Sequence, residues 1–329
     1  MKAIVYTEYG SSNVLQIKDI ERPSPKNDEL LIRVHSAEVT KADCEMRSFN
    51  FAVKWFWLPL RLALGVFKPK KQILGGYFSG EIQDIGKDVS KFKKGDQVFG
   101  TTRMRFGAYG EYLCLPENYT IVKKPNNISY DEAAAVPLGG LNALHFMRKA
   151  NIKKGDKVLI NGAGGSIGTF GVQIAKTMGA EVTVVDSSIK EKMLIQIGAD
   201  HFINYSKENI TKSSRTYDVI FNMVANSRYV DFIKILNPDG RYIIGNPRLS
   251  DMLRSMLTSK FTNKTAIFTF AGEKEEELTT LKNMIEKGEI KPIVDKIYSY
   301  IHVAEAHQRV ETEQRLGIVI LSFRKSNET

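Results

Sequence analysis

The segment Val158-Leu159-Ile160-Asn161-Gly162-Ala163-Gly164-Gly165-Ser166-Ile167-Gly168 concentrates the clearest chemistry in the chain. An apolar run enters a glycine-rich turn. Beyond the turn, Ile167, Phe170, Ile174 and Met178 recur at the spacing of one helix face. Glycines let the backbone approach a polyanion closely, and the free N–H groups and dipole of a helix start bind its charge. The pattern points to a bound pyrophosphate, cradled by Gly164, Gly165, Ser166, Ile167 and Gly168. Gly165 and Gly168 occupy the second and third glycine positions of a dinucleotide fingerprint, and Ala163 stands at the first. The competing use of such a turn is tight strand–helix packing alone.

About twenty residues on, Asp186 ends a second apolar run, where a ribose contact is expected. A carboxylate there suits the two hydroxyls of an NAD ribose and repels a 2′-phosphate. Ser187, Ser188 and Lys190 follow directly and could hold that phosphate, although a lysine at a helix start is also simply solvated. The choice between NADPH and NADH therefore stays open, with a lean to NADPH.

The elements that would position these residues fall into two textures. Lys2–Tyr6, Glu29–Ser36, Phe78–Ile85 and Gln97–Phe99 are short apolar or alternating runs broken by glycine and proline, as in a β-rich domain. From Tyr130 to Lys149 the pattern predicts one helix, with Ser129 as its N-cap. Strand and helix signals then alternate: Lys157–Asn161, Ser166–Met178, Glu181–Asp186, Lys190–Ile197, Phe202–Tyr205, Asp218–Val224 and Arg241–Asn246. That order predicts a doubly wound parallel sheet with helices on both faces. A helix from Glu273 to Lys287, a run at Ile297–Tyr300, a helix through Ala304–Val310 and a strand Gly317–Phe323 complete the chain.

With 329 residues, two domains are the natural expectation. The hydrophobic share of 43% and charged share of 26% are ordinary for a globular protein. Cys44 and Cys114 form neither a metal-ligand spacing nor a disulfide framework, which suits a reducing cytoplasm and small buried or semi-buried fillers. The first residues are too polar for a signal peptide, and Lys54, Pro59 and Arg61 interrupt the one long apolar stretch, so no membrane span is expected. The net charge of +10 could serve nucleic acid or an anionic membrane. The lysines are scattered without an arginine–aromatic stripe, however, so nucleic-acid binding is not expected.

Ala133–Ala143, Asp156–Gly168, the Gln173–Ala180 and Gly198-Ala199-Asp200 segments, Gly80–Gly86 and Val89–Val98 together resemble the medium-chain dehydrogenase/reductase superfamily, in its zinc-free, quinone-oxidoreductase-like branch. The resemblance implies a GroES-like β-rich catalytic domain (1–125 and 270–329) and a Rossmann cofactor domain (126–269), with the last strand returning to the first. It implies an NADPH- or NADH-dependent enzyme that passes hydride to a quinone or an activated alkene, and a homodimer. It also adds cofactor contacts at Asn142, Tyr205, Val224, Ala225, Gly245 and Asn246. In zinc-dependent members a cysteine ligand lies where this chain has Thr40, and a histidine–glutamate pair where it has Gly76 and Tyr77; no cysteine falls between Phe99 and Tyr112. No metal is therefore expected. Thr40 and Tyr77 become candidate proton donors, with solvent as the alternative, a pocket wall as the bland role of Thr40 and aromatic packing as that of Tyr77.

The most individual stretch is Phe49–Lys71, rich in aromatic and leucine residues. It is expected to form an apolar lid that favours a bulky, apolar substrate through Trp55 and Trp57, with core packing or a dimer contact as alternatives. Two other readings of the whole chain remain: a zinc-free carbonyl reductase or alcohol dehydrogenase, and a low-turnover dinucleotide-binding regulatory protein.

Overall fold

The structure is a computed structural model that describes residues 1–51, 57–225, 227–268 and 272–324. An antiparallel pair, β1 (Lys2–Val5) and β2 (Gln16–Asp19), leads into β3 (Glu29–Val39), which runs for eleven residues. Helices α1 (Lys41–Ser48) and α2 (Trp57–Leu64) separate it from β4 (Tyr77–Ile85). Strands β5 (Gln97–Thr101), β6 (Tyr112–Pro116) and β7 (Ile121–Lys123) complete the first antiparallel array. Helices α3 (Tyr130–Ala134) and α4 (Val136–Ala150) then lead into the alternating region. Its elements are β8 (Lys157–Asn161), α5 (Ser166–Thr177), β9 (Glu181–Asp186), α6 (Glu191–Gln196), β10 (His201–Asn204), β11 (Tyr217–Asn222), α7 (Tyr229–Lys234), β12 (Leu236–Ile244), α8 (Leu249–Phe261) and β13 (Thr265–Phe268). The chain closes with α9 (Glu275–Glu286), β14 (Val294–Ser299), α10 (Val303–Glu311) and β15 (Ile318–Ser322).

Strands β8 to β13 form one six-stranded sheet in the order β10-β9-β8-β11-β12-β13, parallel throughout. The order reverses between β8 and β11, and in such a sheet a ligand binds outside the strand C-termini at that reversal. The apolar run of β8 follows from burial on both faces. Val158 and Ile160 belong to the core built with α4 and α5, whereas Leu159 belongs to the opposite core with Phe232 and Tyr242.

The second sheet runs β14-β15-β3-β4-β5-β7, with β6 also on β3. β15 lies antiparallel on β3, with Val319 opposite Val39 and Ser322 opposite Ser36, so the end of the chain does return to the first array. This mixed α/β architecture is the one expected from the sequence.

Three local readings need correction. The helix expected over Tyr130–Lys149 is two helices meeting at Ala135. Pro137 has no N–H to give to the carbonyl four residues back, so it fits the first turn of a new helix and not the interior of a long one. Ser129 does cap α3: its hydroxyl accepts from the Glu132 N–H, and the Glu132 carboxylate accepts from the Ser129 N–H at 2.8 Å. The helix expected from Lys190 starts at Glu191, after a tight turn over Ser188–Lys190. Finally, α7 before β12, and α8 and β13 after it, occupy two stretches for which no element is expected from the sequence. The signal for α8 was present, since Leu249, Leu253, Met256, Leu257 and Phe261 lie on one helical face.

Candidate active site

Every strand C-terminus at the β8/β11 reversal contributes to one cavity of about 800 Å³. Asn161 and Gly162 follow from β8, Asp186 and Ser187 from β9, Met223, Val224 and Ala225 from β11, and Gly245 and Asn246 from β12. Across the opening stand Lys41, Ala42 and Glu45 of α1, Glu313 and Arg315 before β15, and Leu138, Asn142 and Phe146 of α4. The cavity is thus a cleft between the parallel sheet and the β3–β15 array, of a size that suits a small-molecule or cofactor site.

The glycine turn is built for close approach. Gly165 caps α5, and Gly165, Ser166, Ile167 and Gly168 all line the cavity. A Cβ on Gly168 would sit 2.4 Å from the Ala163 carbonyl oxygen, so only glycine lets the helix start pack on the turn. Gly168→Ala is expected to destabilise the fold by about 1–3 kcal/mol, read by urea unfolding. Gly76→Ala, at a site with nothing within 4 Å of the added carbon, serves as the neutral control.

Asp186 is more occupied than a bare ribose acceptor. Its Oδ2 accepts from the Gly164 N–H at 2.7 Å and its Oδ1 from the Ser187 N–H at 2.8 Å. The Lys190 ammonium lies 3.2 Å from Oδ1, and both side chains are buried. Lys190 crosses Gly164 so closely that a Cβ there would fall 2.2 Å from its Cδ. Asp186 therefore ties the glycine turn to the end of β9, and Lys190 cancels its charge. Gly164 acts through this bond and, like Ser188, is not among the residues lining the cavity. Tyr205 forms an exposed rim, and the Asn142 amide donates to the Leu138 carbonyl at 2.9 Å while facing the cleft.

Beside the start of α5 sit two groups that lie outside the glycine motif. Arg315 is only 6% exposed, yet its Nε and Nη1 have no partner among the described residues. A Cβ on Gly165 would lie 3.7 Å from its Nη2. Glu38 of β3 is fully buried; its Oε1 accepts from the Ser166 hydroxyl at 2.6 Å and its Oε2 has no partner among the described residues. Burial pushes this carboxyl up to about 8, partly offset by the Ser166 bond and the Arg315 charge. A buried guanidinium with unmet donors, at a helix start that offers free N–H groups, makes a site for an oxyanion.

Thr40 and Tyr77 lie elsewhere. Thr40 caps α1: its hydroxyl donates to Asp43 Oδ2 at 2.6 Å and accepts from the Asp43 N–H at 3.0 Å. Tyr77 directs its hydroxyl to Glu273, and burial with that carboxylate nearby holds the phenol well above its ordinary value. Neither side chain is among those lining the cavity. Trp57 stacks edge-on against Phe49, at 5.7 Å between ring centres, and does not line it either; Trp55, with the rest of residues 52–56 of the expected lid, lies outside the described residues.

Asp43 anchors α1 from beneath. Its Oδ1 accepts from the Gly75 N–H at 3.1 Å, and Tyr109 links this hub to His307, whose Nδ1 is 3.3 Å from the Cys44 sulfur. Burial lowers His307 to about 3 and raises the Cys44 thiol, so both stay neutral and serve packing.

The alcohol dehydrogenase GroES-like domain description matches residues 26–126, and the zinc-binding dehydrogenase description matches residues 197–321. Human quinone oxidoreductase is 28% identical over 323 residues, covering 94% of each chain. The chloroplastic NADPH-dependent alkenal/one oxidoreductase of Arabidopsis thaliana is 28% identical over 98% of this chain and 79% of its own length. The solved quinone oxidoreductase of Coxiella burnetii superposes with a TM-score of 0.87 at 27% identity, covering 98% of this chain and 99% of that one. The chain belongs to the medium-chain dehydrogenase/reductase superfamily, in its quinone-oxidoreductase-like branch.

Within this superfamily the zinc question turns on the donor set. The expected ligand positions hold a hydroxyl already used in a helix cap, a glycine and a phenol turned to Glu273. Among the described residues no three His, Cys, Asp or Glu side chains are grouped to hold a metal. These residues do not fit a zinc ion. The residues that fit a dinucleotide are those of the cleft, where the glycine turn and the Arg315 nitrogens without a partner among the described residues suit a pyrophosphate.

Proposed function

We propose that this protein is a zinc-independent, NADPH-preferring oxidoreductase that reduces quinones or activated alkenes, working in the cytoplasm as a homodimer. The observation that carries the reading is Arg315, a buried guanidinium with unmet donors beside the start of α5 in a cleft of dinucleotide size. Held there, the cofactor supplies the hydride that reduces the acceptor. Arg315, Ser166 and the α5 N-terminus bind the phosphates, and Asp186, Ser187 and Lys190 receive the adenosine ribose. Leu138, Phe146 and Met223 give the cleft an apolar wall suited to an apolar acceptor and exclude water from it. With the Thr40 and Tyr77 hydroxyls engaged elsewhere, solvent is the proposed proton source. The edge of β13 that no described strand pairs and the exposed apolar face of α8 beside it form the proposed dimer contact.

The preference for NADPH rests on Lys190, which neutralises Asp186 at the place where a 2′-phosphate would sit. Lys190→Ala is expected to weaken NADPH binding about tenfold or more and to leave NADH nearly unchanged. An equal loss for both would make Lys190 a brace for the glycine turn. The test of the whole reading is oxidation of NADPH and NADH at 340 nm with 1,4-benzoquinone, 9,10-phenanthrenequinone and a long-chain enone, with and without EDTA. EDTA-resistant turnover supports it, and analysis of the enone product separates alkene from carbonyl reduction. Tight cofactor binding without turnover on any acceptor overturns it in favour of a regulatory dinucleotide-binding protein.

A further inference from the structure

Helix α2 is inside out. Its arginine points inward: the Arg61 guanidinium lies 4.3 Å from the ring centres of Tyr9 and of Phe49. Its leucines point outward, with Leu58 61% and Leu62 59% exposed, and no residue of the helix is buried. Just beyond the helix, Phe67 is 92% exposed. The arrangement is fixed and not frayed, since the Tyr9 hydroxyl donates to the Gly65 carbonyl at 2.8 Å and the Lys70 ammonium to the Leu62 carbonyl at 3.0 Å. A helix in water normally buries its apolar face, so an ordered apolar face turned outward marks a surface made to be covered.

The charge around it identifies the cover. From Met46 to Gly80 the sequence holds six cationic residues and no aspartate or glutamate. A hollow of about 490 Å³ is lined by Lys70 and Lys71 from the segment after α2 together with Lys18 and Arg105, the last paired to Glu29 at 2.7 Å, and by no carboxylate among the described residues. Projecting leucine and phenylalanine in a segment whose own charges are all cationic is the composition of a segment lying in the headgroup zone of an anionic bilayer. An acidic protein groove would satisfy the charge, but the apolar side chains project from an exposed helix and do not line a recess of their own. No helix among the described residues is long and apolar enough to cross a membrane, so the contact is interfacial.

We propose that α2 and the turn to Lys71 dock this protein on anionic phospholipid membranes, with Leu58, Leu62 and Phe67 entering the interface and Lys68, Lys70 and Lys71 holding lipid phosphates. The surface stands whether or not the reductase reading does.

The chain provides its own probe, because its two tryptophans are Trp55 and Trp57, both in this segment. The full-length protein is titrated with vesicles of phosphatidylglycerol and phosphatidylcholine, and with phosphatidylcholine alone. The expected result is a blue shift and protection from quenching with the anionic vesicles, weakened at least tenfold by neutral lipid and by raised salt. Leu58→Gln/Phe67→Ser and, separately, Lys68→Gln/Lys71→Gln each lower partitioning about tenfold or more, with the melting temperature and turnover of a water-soluble quinone unchanged. No shift with anionic vesicles, or equal binding to both lipids, overturns the proposal. A blue shift that follows protein concentration without lipid, with Phe67→Ser lowering the mass in sedimentation velocity, also overturns it and assigns the face to a second copy of the chain.

Discussion

Replacing Arg315 with glutamine is expected to weaken dinucleotide binding by about ten- to a hundredfold and to leave the ligand-free protein as stable as before, or more so. The two signs share a cause. The guanidinium is buried with Nε and Nη1 unmet among the described residues, where its nearest carboxylate, on Glu313, lies 4.0 Å from Nη2. A buried donor without a partner costs about 1–3 kcal/mol, and the shorter side chain removes that cost. A bound pyrophosphate meets the same donors with charge-assisted bonds worth about 1.5–3 kcal/mol, which glutamine cannot restore. Calorimetric titration of NADPH together with thermal unfolding of the free protein reads both effects. A variant that unfolds more easily and binds normally would mark Arg315 as a structural residue of the returning segment.

The parts of this site written in local sequence were legible, and the parts created by long-range return were not. The strand, glycine turn and helix from Val158 to Thr177 announce themselves because a doubly buried strand and a tight turn leave a local pattern. The ends of β9, β11 and β12 followed from the same alternation. Arg315 comes from 150 residues later and Glu38 from more than 120 residues earlier, and only the pairing of β15 with β3 beside α5 brings them to one point. The available signal for Arg315 was its place just before Gly317 and the closing strand. For Glu38 it was an acid inside an apolar strand, a choice that burial disfavours unless the group has a use.

Thr40 and Tyr77 show the opposite error. Position relative to a metal site placed them near the chemistry, yet a hydroxyl that can cap a helix does so. Thr40 with Asp43 is a capping box, readable from the pair three residues apart. The aromatic segment shows a third kind of gap. Its composition was plain, but composition does not say which way a helix faces, and the stacking of Arg61 on Tyr9 and Phe49 decides that.

Cofactor affinity is expected to be flat below about pH 8 and to fall by up to tenfold per pH unit above it, and Glu38→Gln is expected to abolish that fall. Glu38 faces the Ser166 hydroxyl from α5 and the Arg315 charge from the returning segment, both of which favour its anion. Asp43 of α1 opposes ionisation, and the Tyr77 phenol of β4, itself held far above its ordinary range, contributes no charge. Burial outweighs these and sets the carboxyl at about 8. Below that value the acid is neutral, keeps its bond to Ser166 and leaves Arg315 free for phosphate. Above it, a buried carboxylate competes for Arg315 and repels the pyrophosphate, so each binding event must take up a proton. Glutamine copies the neutral acid in shape and hydrogen bonding but cannot ionise. The same group gives a stability signature of fixed sign. An unfolded glutamate loses its proton near 4.5 and the folded one near 8, so the folded state holds the extra proton between these values. Stability contributed at this site therefore falls as pH rises through that window, by up to ~1.4 kcal/mol per unit, and stays level above it. Urea unfolding from about pH 5 to 9 should show Glu38→Gln gaining on the parent protein as pH rises, and calorimetry of NADPH binding in buffers of different ionisation enthalpy should show proton uptake in the parent alone. An unchanged pH profile in the variant would assign the dependence to another group and return Glu38 to the role of a brace for Ser166.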